Sequence, residues 1–194
     1  MNDFIKAIKN KKLYQATNLN NKNEETLKNS EKDIKSEFIK MLKGVYSDEW
    51  LAVYQYSVEA DFINKLNYDG KLSNKAYNQI VKELDLHTQE EFNHAKLIVP
   101  ELILLGAEPV YYINDLEKNA NAPMLIPSKD QNNILQQAIT AEEGAIKAYT
   151  NIQDFIKDNP KICSLKFEDT IKFILDQEYE HKNDLDKLLK EFKN

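Results

Sequence analysis

Apolar residues recur at alternating steps of three and four along most of this chain, the spacing that lays one stripe along one face of a helix. The first stripe reads Leu42, Val45, Glu49, Ala52, Tyr56, Glu59, Ile63. Ser30 followed by Asp33 has the form of a capping box ahead of it, and Asn67-Tyr68-Asp69-Gly70 supplies a turn after it, which predicts helix A. Ser73 is placed to cap helix B, whose stripe is Ile80, Leu84, His87, Glu91, His94, Ile98, Leu102, Leu105, with Pro100 expected to kink it and Gly106 to end it. Residues 107–129 contain Pro109, Pro123 and Pro127 and hold no long periodic run, so they read as an unusually long connection, able to cross the full length of a bundle. Helix C follows with Leu135, Ala138, Glu142, Ala145, Tyr149, Ile152 and stops at Asp158-Asn159-Pro160; helix D carries Phe167, Ile171, Ile174, Glu178, His181, Leu185, Leu188, Phe192. The expected fold is all-α, a four-helix bundle with a long crossover between helices B and C and no fifth helix. Residues 1–30, rich in Asn and Lys with isolated apolar positions, read as a polar extension holding at most a short helix, and 31–194 as the bundle.

Six polar residues interrupt the stripes where an apolar side chain should face inward: Glu49, Glu91, His94, Glu142, Glu178 and His181. Unpaired buried carboxylates are costly, and metal cations compensate them well. Two of the chain's three histidines lie in Glu-x-x-His pairs, Glu91 to His94 and Glu178 to His181; three residues apart on a helix, each pair projects from one face as a two-donor metal arm. Depth agrees between helices. Glu49 lies 20 residues before Asp69 in the A/B turn and Glu91 lies 22 after it, while Glu142 and Glu178 are each 18 residues from Pro160 in the C/D turn. The halves also repeat: Glu49 is followed one heptad later by Tyr56, Glu142 by Tyr149, and each second helix then supplies a Glu-x-x-His. Hard carboxylates with imidazole and no thiolate suit iron first, with manganese as the other candidate, and two metals rather than one.

Composition narrows the rest. A single cysteine, Cys163, excludes an internal disulfide framework and a four-cysteine iron or iron–sulfur site, and fits a reducing compartment. No stretch approaches the roughly 20 apolar residues a membrane span needs, and the first twenty residues lack the apolar run of a secretory signal, so a cytoplasmic protein without membrane contact is expected. All 26 cationic residues are lysine, which leaves no guanidinium fork for reading bases. Residues 1–43 carry ten lysines against six acids, while residues 44–194 carry sixteen against 26. The tail could therefore touch nucleic-acid phosphates without sequence preference, but the acidic body opposes such binding.

The residues around the six positions resemble ferritin-like proteins, in particular the bacterioferritin and Dps-like branches, over about residues 36–190. Glu49-Trp50-Leu51-Ala52-Val53-Tyr54-Gln55-Tyr56 resembles the helix A signature, Glu91-Phe92-Asn93-His94-Ala95 that of helix B, and Leu104-Leu105-Gly106-Ala107-Glu108-Pro109 the segment closing helix B. Ala141-Glu142-Glu143-Gly144-Ala145-Ile146 and Asp176-Gln177-Glu178-Tyr179-Glu180-His181 resemble helices C and D. The resemblance implies that Glu91 and Glu178 bridge two irons, with Glu49 and His94 as terminal ligands of one and Glu142 and His181 of the other. It also marks departures: Phe92 stands where bacterioferritin has a haem-ligating Met, so no haem is expected, and one Cys cannot match the cysteine pair of some Dps-like members. Dps proteins place iron between subunits, whereas one chain here supplies all six ligands.

The function so implied is oxidation of Fe(II) by O2 or H2O2 and storage of the product, by a homo-oligomeric cage for which twelve subunits are favoured. Two alternatives stay open: a di-iron or di-manganese peroxidase or catalase without mineral, and a DNA-protecting or structural protein whose site is vestigial. Glu143 competes with Glu142 for the helix C ligand position, with the stripe favouring Glu142. His87, one turn before Glu91, is read as an entry ligand, a proton shuttle or a structural histidine; Glu59 as a lysine partner ahead of a further iron site. Tyr56 and Tyr149 are expected to orient second-layer carboxylates.

Overall fold

The computed structural model describes the backbone of residues 2–193 and the side chains of residues 30–193. Among the described residues there are five helices and no strand: α1 (Asn2–Tyr68), α2 (Asn74–Leu104), α3 (Ile113–Asn119), α4 (Gln131–Asp158) and α5 (Leu165–Phe192). The chain divides into two units, Met1–Glu37 and Phe38–Asn194. The side chains of the expected polar extension lie, up to residue 29, outside the described residues. The backbone of α1 passes through Ser30 without a break, so the expected cap there does not begin the helix.

Four long helices build the second unit because each carries the three-and-four stripe foreseen for it. Their buried side chains fall into two apolar clusters. One joins Phe38, Leu42 and Val45 of α1, Ala95, Ile98 and Leu102 of α2, Tyr149, Ile152 and Ile156 of α4, and Phe167, Ile171 and Ile174 of α5. The other joins Tyr56, Ala60 and Ile63 of α1, Ala76, Ile80 and Leu84 of α2, Ile134, Leu135 and Ala138 of α4, and Leu185 and Leu188 of α5. Helices α1 and α5 meet the first cluster before the second, whereas α2 and α4 meet them in reverse order. Hence α1 and α2 are antiparallel, α2 and α4 are parallel, and the segment between α2 and α4 must run from one end of the bundle to the other, as a crossover.

That crossover contains the correction. Four helices and no fifth were expected, but the seven-residue α3 makes a fifth. No residue of it is buried, and Asp115 in its first turn pairs with Lys118 in its last. Its one core contact is half-buried Leu116 on the first apolar cluster; a single such residue makes no stripe, so the periodicity that reveals the long helices has nothing to register here. Beyond α3 the segment is fastened along α1: Asn121 donates through its backbone and side-chain nitrogens to Asp48, and the Leu125 N–H donates to Gln55.

Helix ends follow local chemistry. The Ser73 hydroxyl accepts from the Ala76 N–H at 3.1 Å, and Ser164 does the same for Phe167 at 3.2 Å. After α2, Gly106 adopts φ 72°, letting its N–H reach the Ile103 carbonyl and that of Ala107 the Leu102 carbonyl. Pro100 lies inside α2 without ending it.

Candidate metal centre

Between the two apolar clusters, all four long helices carry acid or imidazole at one level. Glu49 on α1, His87, Glu91 and His94 on α2, Glu142 on α4, and Glu178 and His181 on α5 are each at most 2% exposed. Glu142, not Glu143, faces inward; Glu143 is exposed, 3.6 Å from Lys182. All six residues singled out from the stripes are therefore brought together.

They form two overlapping groups. Glu49, Glu91, His94 and Glu178 each present a donor atom within 4.8 Å of the others, and so do Glu91, Glu142, Glu178 and His181. Only Glu91 and Glu178 belong to both. The Nδ1 atom of His94 lies 3.0 Å from Glu91, 2.9 Å from Glu178 and 3.7 Å from Glu49. His181 Nδ1 lies 3.3 Å from Glu91, 3.7 Å from Glu142 and 3.9 Å from Glu178. Both imidazoles thus turn the same nitrogen toward the carboxylates. Both Glu178 oxygens and His181 Nδ1 are buried without an aligned hydrogen-bond partner. A centre of cationic charge among them would satisfy the atoms the protein leaves orphaned.

The tyrosines bind across the repeat. Tyr56 of the first hairpin donates its hydroxyl to Glu142 of the second, and Tyr149 of the second donates to Glu49 of the first. They hold the inward-facing carboxylates of the cluster itself rather than a second layer. Burial raises both phenols well above their ordinary value, with the adjacent carboxylates adding to the effect, so each stays a donor.

Electrostatics in the cluster run against the ordinary charges of the groups. Burial first, then the neighbouring Glu91 charge, pushes Glu49 and Glu178 well above the usual carboxylate range. Glu91 is pushed up by burial too, but hydrogen bonds from Glu49, His181 and His94 overcome this and hold it well below that range. Burial pulls His94 and His181 down, yet their carboxylate partners outweigh it, raising His94 strongly and His181 to about 12.

His87 packs its ring on His181, centroids 4.1 Å apart and planes 25° apart. Two nearly parallel stacked rings do not aim their in-plane lone pairs at a common ion, so His87 and His181 do not jointly chelate as they stand. Burial, followed by the His181 charge, lowers His87 to about 4 and keeps it neutral. Glu59 is fully buried and accepts from Gln55 at 2.9 Å, not from the lysine expected for it. Trp50 meets Tyr46 and Phe92 edge-on. Cys163 lies before α5, packed against the first apolar cluster, and burial lifts its thiol to about 11.

Sequence reasoning missed Glu90 and Gln177. Each immediately precedes one of the two shared glutamates, and each reaches the outer nitrogen of the opposite helix's histidine: His181 Nε2 lies 2.9 Å from Glu90, and His94 Nε2 lies 3.0 Å from Gln177. Their equivalent places in the internal repeat were the available signal. Also missed was a cavity of ≈ 450 Å³ between α1, α4 and Asn121–Met124, which reaches Glu49, Glu91 and Glu142.

With this geometry in place, the ferritin-like domain family matches residues 39–194. The chain belongs to the ferritin-like family. Among solved structures it is similar to a dodecameric thioferritin, the bacterioferritin-related protein of Bacteroides fragilis, at 28% identity and TM-score 0.70, covering 82% of this chain and 88% of that one. It is also similar to Dps from Thermosynechococcus elongatus (13% identity, TM-score 0.69, 81% of this chain and 92% of that one). A third is the bacterioferritin of Rhodobacter capsulatus (17%, 0.65, 81% and 86%), described with a metal-free dinuclear site and haem iron. The latter two likenesses concern the fold alone. No curated protein compared with the chain matches it. In this ferritin-like chain, no described helix is long and apolar enough to cross a membrane.

Proposed function

We propose that this ferritin-like protein binds two Fe(II) ions as substrate and oxidises them with O2 or H2O2, delivering Fe(III) to storage in a homo-oligomeric cage. The observation that carries this reading is the pair of four-donor groups sharing only Glu91 and Glu178. Shared carboxylates suit bridging two ions, leaving Glu49 and His94 as terminal ligands of one and Glu142 and His181 of the other. Four carboxylates balance two divalent ions, so a filled site is neutral, as a buried site requires. Paired ions allow two electrons to pass to one oxidant, which a single Fe(II) cannot supply in one step. A twelve-subunit assembly is the form proposed, by analogy with the dodecameric relative.

The chain's own side chains prepare this chemistry. Tyr56 and Tyr149 fix the rotamers of Glu142 and Glu49, while Nδ1 of both histidines faces the carboxylates. Protons held on Glu49, Glu178, His94 and His181 must leave as Fe(II) enters. The cavity beneath Asn121–Met124 offers a path to the cluster from the α1/α4 side.

The test is anaerobic Fe(II) titration followed by addition of O2 or H2O2, with light scattering to size the assembly. Two Fe(II) should bind per chain and oxidise rapidly, and many further irons should be retained per chain by a large hollow particle. Glu91→Ala with Glu178→Ala should abolish saturable two-metal binding. Rapid peroxide turnover by a small oligomer retaining only two metals would replace storage with a peroxidase or catalase role. Unchanged iron oxidation in the double variant would sink the site.

A further inference from the structure

Behind the two histidines the internal repeat is broken in one respect. Glu90 and Gln177 occupy equivalent places, each just before a shared glutamate, and each crosses to the other hairpin's imidazole. They also touch one another: Gln177 Nε2 donates to Glu90 Oε1 at 3.3 Å. The network has one consistent reading. The Gln177 amide nitrogen faces Glu90, so its oxygen faces His94 and accepts from Nε2–H; Glu90 Oε2 accepts from Nε2–H of His181. With Nε2–H held by these outer acceptors, the proton that leaves each imidazole when a metal enters is the one on Nδ1, which then offers its lone pair toward the cluster. The acceptors differ in kind, however. His94 leans on a neutral amide and His181 on a carboxylate, whose negative charge makes the imidazole a stronger donor to a cation.

We propose that Glu90 and Gln177 are positioning residues that make the two metal positions unequal, the Glu142–His181 position holding a divalent ion more tightly than the Glu49–His94 position. This rests on the two-metal reading above. Since outer partners of metal-bound histidines typically change affinity by about 10- to 100-fold, the two successive dissociation constants should differ by a factor on the order of 10 to 100.

Exchanging the two residues tests this cleanly. Gln177→Glu alone would set two carboxylates side by side, but Glu90→Gln with Gln177→Glu restores every hydrogen bond in mirror image. Anaerobic Co(II) titration, read from the visible bands of the bound ion, should give two unequal steps in the native chain. His181→Ala should remove the tighter step and His94→Ala the weaker one. In the exchanged protein the ratio should persist, but His94→Ala should now remove the tighter step. A merely structural role would weaken both steps together and leave their order untouched. Equal constants in the native chain, or an order the exchange does not reverse, would overturn the inference while leaving the two-metal site standing. Fewer than two Co(II) per native chain would overturn both.

Discussion

Glu59 is a fully buried acid that its surroundings compensate only in part. Burial raises it to about 7, a hydrogen bond from Gln55 offsets part of that, and the Glu142 charge adds to it, while Oε2 has no partner. A carboxyl whose folded value lies above its unfolded value of 4.5 binds more protons in the fold between those two values. For this group, stability falls as pH rises from about 4.5 to about 7 and is level above that. The penalty on the alkaline side is roughly 3 kcal/mol at most. Glu59→Gln keeps an oxygen for Gln55 and removes the charge, so it should melt several degrees above the native chain at pH 8 and close to it at pH 4.5. Calorimetry of metal-free protein at both pH values decides; an equal difference at both would refute the buried-charge account. The six central residues were legible in the sequence because each replaces an apolar residue in a stripe, which is a property of one helix. Glu90, Gln177 and the partners of Tyr56 and Tyr149 were not legible as pairs, because each contact crosses between hairpins. Stripe logic shows which way a side chain points, not which atom of another helix it meets.

At the level of elements, Gly44 on α1 sits beneath the crossover. A Cβ there would lie 2.9 Å from Asn121 Nδ2 and 3.1 Å from Oδ1, the side chain that clasps Asp48. Gly44→Ala would add about 1 kcal/mol of helix propensity and displace surface hydrogen bonds worth about the same. Global stability should therefore change little, whereas the crossover around Asn121–Met124 should loosen over the cavity. Limited proteolysis should cut the variant faster in residues 107–129, with an unchanged melting temperature. Unaltered cleavage would mean that Asn121 does not fasten the segment. The same region marks where the fold escaped the sequence. Helices α2, α4 and α5 were legible from long stripes and from stop signals such as Gly106, whose positive φ the turn requires. The crossover was legible from its length, and the reversed order of clusters along α2 and α4 agrees with it. Helix α3 was invisible because its seven residues send only one apolar side chain, half-buried Leu116, against the core, and one contact sets no period. Conversely, Ser30 looked like a helix start because the local capping pattern is present, but the backbone is already helical there.

Across the whole molecule, the polar layer between two apolar clusters couples metal loading to protonation and to stability. Without a cation, neutrality of the layer falls to protons: Glu49 and Glu178 are raised by burial and by their neighbours, and His94 and His181 are raised, His181 to about 12, by the carboxylates around them. A divalent ion needs those same groups deprotonated, so binding must expel protons, and its affinity must fall as pH falls. Calorimetric Zn(II) titrations in buffers of different ionisation enthalpy should show more than two protons released per chain at pH 7, with weaker binding at pH 5.5. Since the ion binds the folded layer, ligand at about 100 times its dissociation constant should stabilise the chain by about 2.7 kcal/mol. For a domain of this size that is roughly 5 to 10 °C in melting temperature. Glu91→Ala with Glu178→Ala should lose both the proton release and the metal-induced shift. If Zn(II) raised the melting temperature of that variant as far as that of the native chain, the stabilising ions would sit elsewhere on the molecule, and the buried layer would be an acid–imidazole network rather than a metal centre.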